Sequence, residues 1–165
     1  LVSAMLGFGQ GFMPVCGFNY GAKHYNRVIE AFWFSFKVML CFFIIIGLSF
    51  FIIAEPLITF FRKSDPQVIL IGVRALRLQC LFLPLQAWII ITNMFTQAIG
   101  KAWQASLISI SRQGLFFIPL IFTLPSLLQI LGLQLAQPIA DAATCILATW
   151  LTLPIIKEID SYKQK

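Results

Sequence analysis

Long apolar runs dominate this chain, and the few polar side chains inside them recur at helical rather than strand spacing. A bilayer core about 30 Å thick takes roughly 20 apolar residues to cross as a helix. On that measure the pattern predicts five segments: the tail of a span over about 1–20, then about 31–54, 77–100, 103–124 and 137–156. Membrane barrels alternate apolar and polar residues over strands of about ten, and these runs are too long and too continuous for that. The expected fold class is an all-α membrane protein with about four and a half transmembrane helices. The connections 21–27 and 100–102 are short and basic, and each opens on a glycine suited to ending a helix.

At about 100° per residue, the polar positions of each helix fall on definite faces. In the third segment Gln79, Gln86, Asn93 and Gln97 share one face, while Leu81, Trp88, Ile91 and Phe95 occupy the other. An unsatisfied amide in hydrocarbon is costly, so this stripe faces protein or water. Two readings stay open: hydrogen-bonding glue between helices, or one wall of a wet substrate cavity. The fourth segment brings Ser106, Ser109 and Gln113 to one face, with Arg112 well off it. Arg112 lies about ten residues, or some 15 Å, into that segment. There it either reaches back to the interface or pairs with an acid on another helix.

The fifth segment carries a similar face of Gln137, Asp141, Thr144, Cys145, Ala148 and Thr152. Asp141 is the one carboxylate inside any expected span, which makes it a candidate ion ligand or proton carrier. Pro138, three residues earlier, points to a structural alternative. It would put Asp141 in the first turn of its helix, at the positive dipole end and near headgroup water. In the first segment Ser3, Gly7, Gln10, Pro14, Gly17 and Gly21 form a face of mostly small residues expected to pack closely on another helix.

Composition settles the solvent. The 165 residues are 59% hydrophobic and 11% charged, with 17 phenylalanines, whereas soluble domains carry about 25% charged residues. A water-soluble chain of this size has no interior large enough for that much apolar surface. The net charge of +6 does not indicate nucleic acid, because the basic residues are scattered between apolar runs without a patch or stripe. It reads better as topology. Basic connections 21–27 and 100–102, with Lys157, Lys163 and Lys165, fall on one side, which the positive-inside rule makes cytoplasmic along with the C-terminus. Trp33, Trp103 and Trp150 lie near the same side, whereas Arg62, Lys63, Arg74 and Arg77 count against this orientation.

Cys16, Cys41, Cys80 and Cys145 lie in apolar runs without CxxC spacing, so small packing residues are expected rather than metal ligands or disulfides. His24 stands alone, and no nucleophile triad, paired carboxylates, HExxH, P-loop or GxGxxG occurs. An enzyme is not expected. The sequence begins inside an apolar run at Leu1, so further membrane segments are expected upstream.

Four stretches carry a family resemblance: GQGFMPVCGFNYGAK at 9–23, QAIGK at 97–101, SISRQG at 109–114 with Pro119 following, and PIAD at 138–141. In this order and spacing they resemble the C-terminal lobe of the multidrug and toxic compound extrusion (MATE) family, bacterial branch. Each is weak alone; together they span nearly the whole chain. The resemblance implies a multi-pass protein of the bacterial inner membrane, with twelve helices in two six-helix lobes. This chain would be a partial six-helix lobe, helix eight (in part) to helix twelve, packed against a missing N-terminal lobe and membrane lipid. The implied function is secondary antiport, exporting cationic or amphipathic drugs in exchange for H+ or Na+, with no cofactor beyond the coupling ion. On this reading Gln86, Asn93, Gln97 and Gln113 line the C-lobe half of the substrate cavity.

The acidic cation site usual in this branch lies in the other lobe. Some relatives place acids on helices seven and ten, where this chain offers Asn93 and no acid, so the resemblance does not make Asp141 the coupling residue. Two alternatives are a lipid-linked saccharide flippase of related architecture, which calls for more cationic cavity residues, and a non-transporting membrane subunit or truncated product.

Overall fold

The structure is a computed structural model and describes residues 2–61 and 66–162. These are helical: α1 (Val2–Gly21), α2 (Tyr25–Phe61), α3 (Pro66–Ala98), α4 (Ala102–Ile110) and α5 (Phe117–Tyr162), with a π-helical turn at Ser111–Leu115 between α4 and α5. The chain is an all-α membrane protein. Among the described residues, the stretches Tyr25–Phe60, Ile69–Ala98, Ala102–Ser126 and Leu128–Ser161 are long and apolar enough to cross a bilayer.

The helices overrun the segments expected from apolarity. α2 continues to Phe61, so Glu55, expected in a connection, is helical. The reason is that an apolar window marks only the part of a helix in hydrocarbon, while backbone hydrogen bonding continues into the headgroup layer. Arg62, Lys63, Lys163 and Lys165, used above to argue orientation, lie outside the described residues.

The largest difference lies in α5. The apolar pattern predicts a non-helical connection over 125–136, yet the helical trace runs through it with a single break at Gln129 (φ 51°, ψ −127°). At that residue the chain doubles back. Gly132 then lies against the carbonyl of Leu124, so closely that a Cβ at this position would clash with the carbonyl oxygen. Only glycine permits that approach. The two limbs, 117–128 following α4 and 130–162 returning, form an antiparallel hairpin. At its open end the Lys101 ammonium meets Glu158 at 3.1 Å.

α1, α2, α3 and the end of α5 share a core of Phe12, Cys16, Val28, Phe32, Ile91, Phe95, Ile99, Ile155 and Ile159. Phe32 packs on Phe95 with ring centroids 4.8 Å apart, and Trp88 meets Phe36 edge-on at 5.1 Å. Trp88 also donates Nε1–H to Thr149 Oγ1 at 2.8 Å, which satisfies the indole within the apolar cluster. The close-packing face expected on α1 is met at Gly17, which lies against the Ala98 carbonyl, and corrected elsewhere: Gly7, Gln10, Pro14 and Gly21 are exposed, and the buried row is Gly9, Phe12 and Cys16. Phe12 and Cys16 fit into the core shared with α2, α3 and α5, and in lipid that shape fit sets the helix rotation.

Gly132→Ala in the full-length protein carrying this chain should lower the thermal midpoint in detergent, by the equivalent of at least the 1–3 kcal/mol typical of overpacking. Gly114→Ala is the control, since its added Cβ would meet only Ile110 at an ordinary 3.5 Å. Equal midpoints for the two variants would contradict the hairpin geometry.

Candidate functional site

Facing the hairpin, α3 forms one side of a recess of about 730 Å³. Residues 79, 86 and 93 are spaced two helical turns apart, and Gln79, Gln86 and Asn93 all reach its wall. Ser109, Arg112 and Gln113 come from α4 and the π-turn, Gln137 comes from α5, and Phe43, Leu83, Ile90 and Ile108 supply apolar surface. Three of the four expected cavity residues, Gln86, Asn93 and Gln113, are thus brought together. Gln97 is not on this wall. It lies one turn further along, beside the end of α3, where its side chain is exposed and its Nε2 donates to Asn93 Oδ1.

The amides divide into two kinds. Asn93 donates Nδ2–H to the Ala105 carbonyl and to Ser109 Oγ, both at 2.8 Å, tying α3 to α4. Gln86 is buried and donates to Asp141. Gln79 and Gln113 make no side-chain hydrogen bond among the described residues, so their amides stay available to whatever enters the recess. The glue between helices is thus made at Gln86 and Asn93, while Gln79 and Gln113 stand unengaged on the recess wall.

Asp141 corrects the first-turn expectation. Residues before Pro138 are already helical back to 130, so Asp141 sits about three turns into the returning limb and is 0% exposed. A proline inside a membrane helix is tolerated because neighbouring groups take up the freed carbonyl. The carboxylate accepts three hydrogen bonds: Gln86 Nε2 on Oδ2 at 2.9 Å, Arg112 Nε on Oδ1 at 3.1 Å and Gln137 Nε2 on Oδ1 at 3.2 Å. Arg112 therefore pairs with an acid on another helix limb rather than reaching the interface.

Arg112 lines the recess with Ser109 and Gln113 at the start of the π-turn. Phe116 N–H reaches the Ser111 carbonyl five residues back at 3.0 Å. That ring holds one residue more than an α-turn and shifts the faces that follow it. Regular 100° spacing fails at this turn.

A family model, MatE, matches residues 1–123 of this chain. The chain belongs to the MatE family. An inward-facing multidrug resistance MATE transporter of the MOP superfamily shares its fold at a TM-score of 0.86 and 18% identity, over 97% of this chain and 37% of the other. The Vibrio cholerae MATE transporter VcmN in its bent form is similar at TM-score 0.83 and 21% identity, over 96% and 36%. The MATE multidrug transporter DinF-BH, solved as a complex with a small molecule, is 35% identical, with a TM-score of 0.77 over 89% and 33%. The chain spans about a third of the length of each of these transporters. No functionally curated protein matches it significantly.

Within this MatE fold the Arg112–Asp141 pair is the feature that residue-by-residue reading did not join. Its one signal was available: the lone acid and the deepest base of the expected spans belong to the two limbs of one hairpin. Removing one member of a buried pair strands the other, at a cost of about 3–5 kcal/mol. Arg112→Leu and Asp141→Leu should each depress the detergent melting temperature sharply, and the double Leu variant should recover most of the loss. Additive losses in that cycle would mean that the two charges are not coupled.

Proposed function

We propose that this chain supplies one half of the substrate cavity in a secondary antiporter of the bacterial inner membrane. The complete protein would export amphipathic drugs in exchange for H+ or Na+, with its C-terminus in the cytoplasm. The observation that carries the reading is the recess itself, where free amides stand over apolar side chains in a fold shared with multidrug transporters. Such a surface holds an apolar body by contact and orients it by hydrogen bonds, which suits structurally varied ligands. A multidrug transporter of 35% identity was solved with a small molecule bound, which supports a drug-binding role for this fold. The exposed Trp103 and Trp150, with Lys101 nearby, support a cytoplasmic interface at the open end of the hairpin.

Asp141 is read here as an anchor rather than a coupling residue. Its fully buried carboxylate takes three donors and does not line the recess. A saccharide-lipid flippase would need several cations on the wall to bind pyrophosphate, and among the described lining residues Arg112 is the single ionisable one.

In energised vesicles holding the full-length protein, Gln113→Leu should lower efflux of amphipathic dyes about fivefold, the worth of one hydrogen bond at about 1 kcal/mol. Insertion and yield should match the parent. Imposing proton and sodium gradients separately identifies the coupling ion. Efflux that neither gradient drives would sink the antiporter reading, and unaltered dye efflux by Gln113→Leu would remove this side chain from the binding surface.

A further inference from the structure

The recess carries a charge of the opposite sign to the one that a cation exporter calls for. Its described wall contains no carboxylate, since Asp141 lies wholly behind it. The one ionisable side chain that does line it is Arg112, a quarter exposed. A guanidinium has five N–H donors in a planar fork. Asp141 engages it through Nε, and the terminal nitrogens make no hydrogen bond or ion pair among the described residues. The terminal nitrogens of Arg112 are therefore left open to the recess, as donors available to a ligand.

Three further features shape what could satisfy it. Asp141 spends both of its oxygens on Gln86, Gln137 and Arg112, so its charge is held off the recess surface by a layer of amide and guanidinium donors. Gln113, adjacent in sequence, reaches the same wall and has an unengaged amide. Phe43, Leu83 and Ile90 add apolar surface to the same recess, the last two between the amides of α3. A ligand matching this surface has a flat or bulky apolar body and, at one edge, an anionic acceptor that two N–H groups can grip together. A carboxylate has that geometry.

We infer that this half of the cavity recognises a carboxylate on an amphipathic substrate, gripped by the terminal nitrogens of Arg112 with Gln113 beside them. The inference rests on the transporter reading above and narrows its substrate class. Zwitterionic amphiphiles, rather than simple organic cations, are the ligands that this wall favours. Asp141 is a positioning residue that holds the guanidinium through Nε.

Two xanthene dyes differing at a single group test this: a cationic rhodamine ethyl ester, and its free acid, which is zwitterionic at neutral pH. Transport of each by the full-length protein in energised proteoliposomes gives a ratio of kcat/KM, acid over ester. The double variant Arg112→Gln/Asp141→Asn removes the cation without stranding the acid, and its melting temperature reports whether it is folded. The expected result is a fall in the acid-to-ester ratio of about tenfold or more, the scale of one charge-assisted hydrogen bond. Arg112→Lys, which keeps the charge but loses the fork, should fall between. A purely structural role would lower both dyes alike and leave the ratio unchanged, which would overturn the inference while the transporter reading stands. A wild-type protein that moves the ester but not the acid would overturn it too. Transport of neither dye would remove both readings together.

Discussion

A carboxylate buried in hydrocarbon can persist only when other groups replace the water it has lost. Asp141 meets that condition with donors from α3, from the π-turn and from its own helix, and those three attachments set the geometry of the site. Gln86 fixes the rotation of α3, which carries Gln79 and Asn93 to the same wall. Arg112 fixes the register of the hairpin limbs, with Lys101 and Glu158 meeting at its open end and Gly132 under Leu124 at its closed end. Taken one at a time, membrane hydrogen bonds contribute little. Several that share one carboxylate constrain three elements at once.

The apolar packing answers a different question. Lipid tails are as apolar as leucine, so burying Phe32, Phe95 or Ile91 in the core has no water-driven advantage over facing the bilayer. Shape decides instead, through aromatic edges around Trp88 and the close approach of Gly17 to the Ala98 carbonyl. This is why α2 can show Phe34, Phe42 and Ile52 outward while burying Phe32, Met39 and Phe43. The apolar side chains give the helix bundle its fit, and the few polar ones choose its register.

The recess follows from both. Its apolar surface continues the α2–α3 packing at Phe43, Leu83 and Ile90, and its free polar groups are the amides left over once Asp141 and the α3–α4 ties are satisfied. Asn93 illustrates the division. It lines the recess, yet both of its amide protons are committed to α4, whereas Gln79 and Gln113 keep theirs. Membership of a polar stripe therefore does not distinguish a ligand-binding amide from a structural one.

The sequence by itself determined the helical membrane class, the family, and which face of α3 is polar, because each of these depends on local periodicity or on short runs of residues in order. It placed Gln86, Asn93 and Gln113 on a shared interior. Gln97 lies one turn off the recess wall, and the sequence misplaced most of the packed face of α1 and the depth of Asp141 and did not foresee the π-turn or the tight reversal at Gln129. Those properties have no local signature. A π-turn forms where its tertiary contacts outweigh one strained ring, and a proline that looks like a helix start is tolerated mid-helix when neighbours take up the freed carbonyl. Only the folded arrangement shows that an arginine and an aspartate 29 residues apart satisfy one another, since neither charge is stable in hydrocarbon until the other limb of the hairpin has returned beside it.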